Sequence, residues 1–396
     1  MKQRSQSSLP NTNPNQSAEG GNVLPFSDLN NTRDSDVLPQ PTSLSEVNDR
    51  LAMGLPVSNC SLTHQDMSSL PLNNVVFIDC DFSGSTFSGK ELSGVTFVNC
   101  NLVAVTLEFA QAAKLSVMQC DMREARCHLP ELQNSCFKQC DLGQCQWQPG
   151  KLRKVTFYSC AMDAISFADC HIEKSVFLDC NLANTGFEKA VIEHSVFRNS
   201  SLSQARLEGV QLSCSQFVEQ SLESKDFSGM TIDRCNFSDS ILKDINFSHA
   251  SLPGCIFINT KFDQCDFRYC ALVQGQLYRA NLEKCHLEHL NGQYSIFRQV
   301  TVSQCTFDHA NLYATHWVQA TLSQVSLLDT QLTHADFTGA RISHCDFSGS
   351  VIDSGKLLQV EKENSHYGFK SKSRLKTKQS KLEKAQSNYL ILEANA

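Results

Sequence analysis

The sequence predicts an all-β solenoid, a chain wound into one continuous rod that turns a corner every fifth residue. Three periodicities predict it. From Leu72 to Leu357 the chain divides into 58 consecutive five-residue units, and 55 of the 58 central residues are Leu, Ile, Val, Met, Phe or Trp. No insertion or deletion breaks that register. Centres twenty residues apart resemble each other more than centres five apart, as in Phe137, Phe157, Phe177, Phe197, Phe217, Phe237 and Phe257, so four units make one coil. Cysteine keeps the same step two residues before a centre, in Cys80, Cys100, Cys120, Cys140, Cys160 and Cys180. A period of five fits neither an amphipathic helix nor an alternating strand.

Taken in order, residues 1–42 are rich in Ser, Asn, Gln and Pro and read as a disordered leader. Residues 43–71 hold a capping box, Ser43 with Glu46, that opens a short helix able to cover the first coil. The repeat occupies 72–357. Beyond it, 358–396 turn basic, with Lys370, Lys372, Arg374, Lys376, Lys378, Lys381 and Lys384 ahead of an apolar patch from Tyr389 to Leu392. A helix is expected over 374–393. Its expected role is to join two copies or to cap the last coil.

Units such as CDFSG (80–84), CNLAN (180–184), ANLYA (310–314), ADFTG (335–339) and CDFSG (345–349) resemble the pentapeptide repeat. That family's pattern is a small residue, Asp or Asn, Leu or Phe, and two variable polar residues. The resemblance covers roughly 290 of the 396 residues and implies the family's right-handed quadrilateral parallel β-helix. About 14 coils at the strand spacing of about 4.8 Å would make a rod on the order of 70 Å long. Each coil of a solenoid touches only its neighbours, so the ends need covers.

Several units depart from the pattern. Ala112, Val117 and Cys127 are small centres, Pro130 falls on an inward small-residue position, and Gly292 leaves one centre empty. Underpacking that bends or loosens the rod is expected around 111–130.

The opening stretch has two basic residues but no apolar segment, and no run of 18 apolar residues occurs, so neither a Sec signal peptide nor a membrane span is expected. The cysteines, 19 in all, then read as reduced thiols. Fifteen of those inside the repeat frame hold the inward small position, where Cys serves as a compact hydrophobe. A linear ladder of inward thiols does not converge on a point as a zinc site requires, and no metal or cofactor is expected.

One column of outward groups stands apart: His249, Tyr269, His289, His309 and Asp329, each two residues after a centre on the fourth face. Imidazoles beside a carboxylate can bind a metal or move protons, yet a convex rod offers no pocket to exclude water. The column is therefore a candidate contact surface. No catalytic triad, phosphate loop, paired carboxylates or nucleotide fingerprint sits in a supporting context, so no enzymatic activity is expected.

The expectation is a protein-interaction scaffold with an unknown protein partner. One form of it is a bacterial effector delivered into a host cell without a signal peptide; another is a cytoplasmic repeat protein of the producing bacterium. The alternative resembles the quinolone-resistance members of the family, acidic rods that imitate duplex DNA and bind gyrase. DNA presents roughly 40 charges over 70 Å, whereas residues 71–357 carry 30 acidic and 22 basic groups. Direct nucleic-acid binding is not expected.

Overall fold

The computed structural model describes residues 41, 43–147, 150–200 and 202–370. They form a parallel β-solenoid of about 15 turns. The 1–40 part of the expected leader, and the helix expected at 374–393, lie outside the described residues.

The first element of the described residues is the helix Leu44–Ala52, whose N-cap Ser43 accepts a hydrogen bond from the Glu46 amide at 3.3 Å. Its Val47 and Leu51 join the solenoid core. The coils reach further than the frame read from 72 to 357. Val57 already pairs with Phe77, Leu62 and Met67 already point inward, and the last bridge joins Asp346 to His366. Near the end the centre becomes Lys362, exposed and lying 4.4 Å over the ring of Tyr367, the following centre, which still stacks on Phe347.

Each five-residue unit uses its positions in a fixed way. The centre points inward and is buried. Two residues later the backbone enters the left-handed region, as at Asn59 (φ 53°), Asp79 (53°) and Asn99 (53°), and the chain turns a corner. Side chains other than glycine resist this conformation by about 1 kcal/mol each, with Asn and Asp the most tolerant. Hydrogen bonds to the next coil hold it: His64 N donates to Ser83 O at 2.9 Å and Gly84 N to Val103 O at 2.9 Å. The Asp or Asn before the centre closes a local turn, Asp81 Oδ1 accepting from Ser83 N and Asp346 Oδ1 from Ser348 N, both at 2.9 Å. The small inward residue after the corner is a donor as well as a filler. Cys80 Sγ points at Ile78 O (3.2 Å), and Ser195 Oγ donates to Glu193 O (2.9 Å).

We name the four faces by the centres of one coil, Phe77, Phe82, Phe87 and Leu92. Rings of the Phe77 face stack along the axis, Phe177 on Phe197 at 4.5 Å and 7°, and Trp317 on Phe297 at 4.1 Å and 2°. The Trp317 Nε1–H is satisfied by Thr315 Oγ1 at 2.9 Å. Extended strands change faces along the rod. They run on the Phe77 face as far as Gln216–Val218 and on the Leu92 face as far as Ile232–Asp233. On the Phe82 face they begin at Ser221–Glu223 and continue to Glu361–Glu363. At this seam three successive inward positions carry long side chains, Gln220, Lys225 and Met230. Gln220 Nε2 donates to Phe197 O and Val218 O, both at 3.2 Å, and Lys225 Nζ to Ala205 O at 2.9 Å.

Two expectations about the irregular units are corrected. Pro130 does not point inward: it is exposed, as are Lys90, Ala110 and Gly150 in the same column. Here the chain runs straight through the corner in the strands Thr86–Ser93 and Thr106–Ala113, and Phe109 and Leu129 turn in instead, 2 % and 0 % exposed. A residue before proline is driven to extended backbone, which suits Leu129. The small centres Ala112, Val117 and Cys127 are fully covered, because these coils gain two large inward side chains. Gly292 is likewise no void. A Cβ there would lie 3.0 Å from Leu312 Cδ2 and 3.4 Å from Leu290 Cδ2, so Leu312 of the next coil and the oversized Leu290 together close the missing centre.

This packing makes a counter-intuitive prediction. Gly292→Leu, which restores the repeat's usual centre, should destabilise by about 1 to 3 kcal/mol through overpacking. Adding Leu290→Ala to the same chain should recover part of the loss, the remainder coming from Leu312. Thermal unfolding of the two variants followed by circular dichroism checks both expectations.

Candidate interaction surface

The corner that follows the Phe87 face is the one on which the outward column lies. His249, Tyr269, His289 and His309 hold the left-handed corner conformation (φ 57 to 60°), and so does Asp329 (φ 51°). Successive coils set their rings face to face. His249 and Tyr269 are 4.9 Å apart at 4°, Tyr269 and His289 4.6 Å at 7°, and His289 and His309 5.1 Å at 17°. All four rings are exposed, Tyr269 by 54 %. The structure thus brings all five residues into one line along the rod. Asp329 ends it and receives Lys370 Nζ at 3.2 Å from two coils further on. That reach passes over Gly349, where a Cβ would lie 3.3 Å from the ammonium.

Half-buried Glu288 and Asp308 flank the column one residue earlier in the chain. Asp308 Oδ1 accepts from Ser326 Oγ (2.5 Å) and Leu328 N (2.9 Å), which fixes its position. Below His249 the same corner carries Gly229 and Gly209. Losing two side chains there opens a groove of about 710 Å³ lined by Val191, Val210, Leu212, Met230, Glu193 and Asp233 among others. Among the described residues no group of three or more His, Cys, Asp or Glu side chains is placed to hold a metal ion.

A neighbouring patch escaped the reading of the sequence. Around the next corner Tyr294 and Tyr313 meet edge to face at 5.6 Å, Tyr313 meets His334 at 5.4 Å, and Ile296 is 37 % exposed beside them. The available signal was compositional. Between His289 and His334 the chain holds only Arg298, Asp308 and Asp329 as charged residues.

Comparison with known proteins now adds to the geometry. A model of the pentapeptide repeat region matches residues 150–227, and a model of eight pentapeptide repeats matches 76–108, 232–268 and 318–351. The chain belongs to the pentapeptide-repeat family. Among solved structures it is similar to HetL, a pentapeptide repeat protein involved in heterocyst differentiation regulation from the cyanobacterium Nostoc sp.. Identity is 16 %, over 56 % of this chain and 86 % of that one, with a TM-score of 0.28. It is also similar to two trypsin-treated forms of QnrB1, a plasmid-mediated fluoroquinolone resistance protein. One is 17 % identical over 46 % of this chain and 88 % of that one (TM-score 0.25). The other is 21 % identical over 53 % and 90 % (TM-score 0.24). No curated protein sequence matches the chain. Among the described residues no helix is long and apolar enough to cross a membrane.

In this pentapeptide-repeat protein Asp179, Glu219 and Asp239 share one corner column with Asn199 and Asn259, and together they make no unbroken line of charge. Asn199 Nδ2 donates to Asp179 Oδ1 at 2.7 Å, Asn259 Nδ2 to Asp239 Oδ1 at 2.9 Å, and Arg198 meets Glu219 at 3.4 Å. The cysteine ladders are interior: 17 of the 19 thiols are buried, and Cys136 and Cys214 are partly so. Burial pushes Cys170, Cys235 and Cys270 up to about 12.

Those thiols set a pH dependence. In the unfolded chain a thiol ionises near pH 8.5, whereas inside the rod these three stay neutral to about 12. Their contribution to stability is complete below the unfolded value and is lost as pH rises toward the folded one. The denaturant midpoint should therefore hold steady from pH 7 to about 8.5 and fall steadily from about 9 to 12. A midpoint that stays flat to pH 11 would contradict it.

Proposed function

We propose that this protein is a non-enzymatic protein-interaction scaffold that docks a partner along the corner carrying His249, Tyr269, His289, His309 and Asp329. The supporting observation is the outward stack of four exposed rings in register with the coils. Inter-coil hydrogen bonds fix the backbone beneath them, so little conformational freedom is lost on binding, which is the condition that favours rigid aromatic anchors. Tyrosine and imidazole present both apolar faces and polar edges, a combination suited to a protein surface.

The duplex-imitating alternative draws no support from the charge arrangement. Asn199 and Asn259 interrupt the acidic column, and Arg198 pairs with its Glu219.

The combined variant Tyr269→Ala, His289→Ala, His309→Ala tests the reading. It removes outward side chains only and should leave thermal unfolding within a few degrees of the parent. Proteins captured by the full-length chain from lysates of a bacterium and of a eukaryotic cell should bind the variant at least tenfold more weakly, a loss of about 1.4 kcal/mol or more. Specific capture from the eukaryotic lysate alone would point to an effector, and capture of gyrase to the alternative. Unchanged capture by the variant would overturn the contact assignment.

A further inference from the structure

The two exposed aromatic features of the rod border one and the same face. The His249 column runs along one edge of the Leu92 face, and Tyr294 and His334 lie on the corner at its other edge. Tyr313 stands on the face itself, in contact with both of them. Between the two corners each of five coils sets two residues outward, from Ser251 and Pro253 to Gln331 and Thr333. All ten are at least partly exposed and none is charged. The ten equivalent positions on the opposite Phe82 face include Lys243, Lys261, Asp263 and Glu283.

We propose that this uncharged face is a self-complementary interface on which two copies of the chain pair side by side. The proposal rests on the reading of the corner as a contact edge and names its partner, a second copy, with which any other partner of the edge competes. Three observations support it. The first is size. With its two corners the face presents four outward positions on each of five coils, 20 in all, and a stable interface takes about 20 to 30 residues from each side. The second is charge. Asp329 is the one formally charged residue among the 20, and Lys370 Nζ already answers it at 3.2 Å. Pairing therefore desolvates little charge, and depletion of charge is what marks the core of an interface.

The third is the match of the face with itself. Paired copies of one chain most often share a two-fold axis, which sets a patch against its own counterpart. An axis crossing the rod at Asn291 and Gln293 reverses the second copy, so each column meets itself with its coils in the opposite order. Both copies have the same rung spacing of about 4.8 Å, so all five rungs fall into register. Asp329 then meets His249 of the second copy. Small positions meet large ones, Gly254 against His334 and Val273 against Tyr313, while Gln293 meets Gln293 amide to amide. Just outside the strip Asp233 approaches Asp353 of the second copy, and Arg234, 2.8 Å from Asp233, offsets that approach.

Sedimentation equilibrium of the full-length chain tests the proposal. The mass should rise with concentration from 44.1 kDa toward twice that value. Gln293→Lys sets two ammonium groups against each other on the axis and should raise the dissociation constant at least tenfold, and Gln293→Glu should do the same with two carboxylates. Both change an outward side chain and should unfold within a few degrees of the parent. An equimolar mixture of the two should associate as well as the parent, because residue 293 of one copy faces residue 293 of the other. Thr301→Lys, exposed on the opposite face, should leave the constant unchanged. A chain that stays at 44.1 kDa throughout, a dimer that Gln293→Lys leaves intact, or a mixture that fails to associate overturns the proposal. None of these results decides the contact-edge reading. That reading fails on its own evidence, if the column variant still captures its partners.

Discussion

Everything in this molecule depends on a left-handed corner that recurs every fifth residue and is held there by hydrogen bonds to the next coil. The conformation is unfavourable for any single side chain, so no isolated unit would adopt it. It persists because each corner amide, such as His64 N to Ser83 O, is answered by the coil that follows. The same constraint sorts the side chains. Centres face a narrow interior in which large rings must stack, and the residue after the corner is mostly small, donating inward where it is Cys, Ser or Thr. This is why Cys, Ser, Thr and Ala alternate there, and why thiols so plentiful in the sequence are so thoroughly hidden.

A rod built this way spends almost all of its apolar residues inside and leaves its function to the corners. Apart from Tyr294 and His334, three corners carry what solvent tolerates: amide ladders such as Gln299 to Gln319, Asp and Asn in contact, and scattered lysines. The fourth is the irregular one. Near its start Phe109 and Leu129 turn inward through it, in the middle Gly209 and Gly229 strip it bare, and further on four rings stack outward from it. Irregularity concentrated on one edge of an otherwise uniform lattice is where a binding role meets the least structural resistance.

Most of the architecture was legible in the sequence, because a five-residue period over 58 units leaves few other folds open. The column of His249 to Asp329 was legible for the same reason, since residues twenty apart must be neighbours. What could not be read from the pattern was the compensation between units. Position alone made Pro130 an inward residue and Gly292 a void. Backbone freedom let the chain straighten at Leu129, and side-chain size let Leu290 cross into its neighbour's space. The seam at Gln220, Lys225 and Met230 was visible as three long side chains at successive small positions, but their partners are backbone carbonyls of other coils. No residue pattern announces those. The exposed aromatic patch at Tyr294, Tyr313 and Ile296 was hidden because it wraps around a corner and so belongs to no single column.

The central claim is that one corner of the four is the contact edge. The coil of residues 264–279 presents all four corners at once, in Gln264, Tyr269, Gln274 and Arg279. The most direct measurement places a photoreactive side chain at each of these in turn in the full-length protein, and compares total covalent adducts formed in lysate, whether with another protein or with the chain's own residues. The account predicts adducts concentrated at position 269. Equal yields from all four corners, or a maximum at another of them, would contradict it.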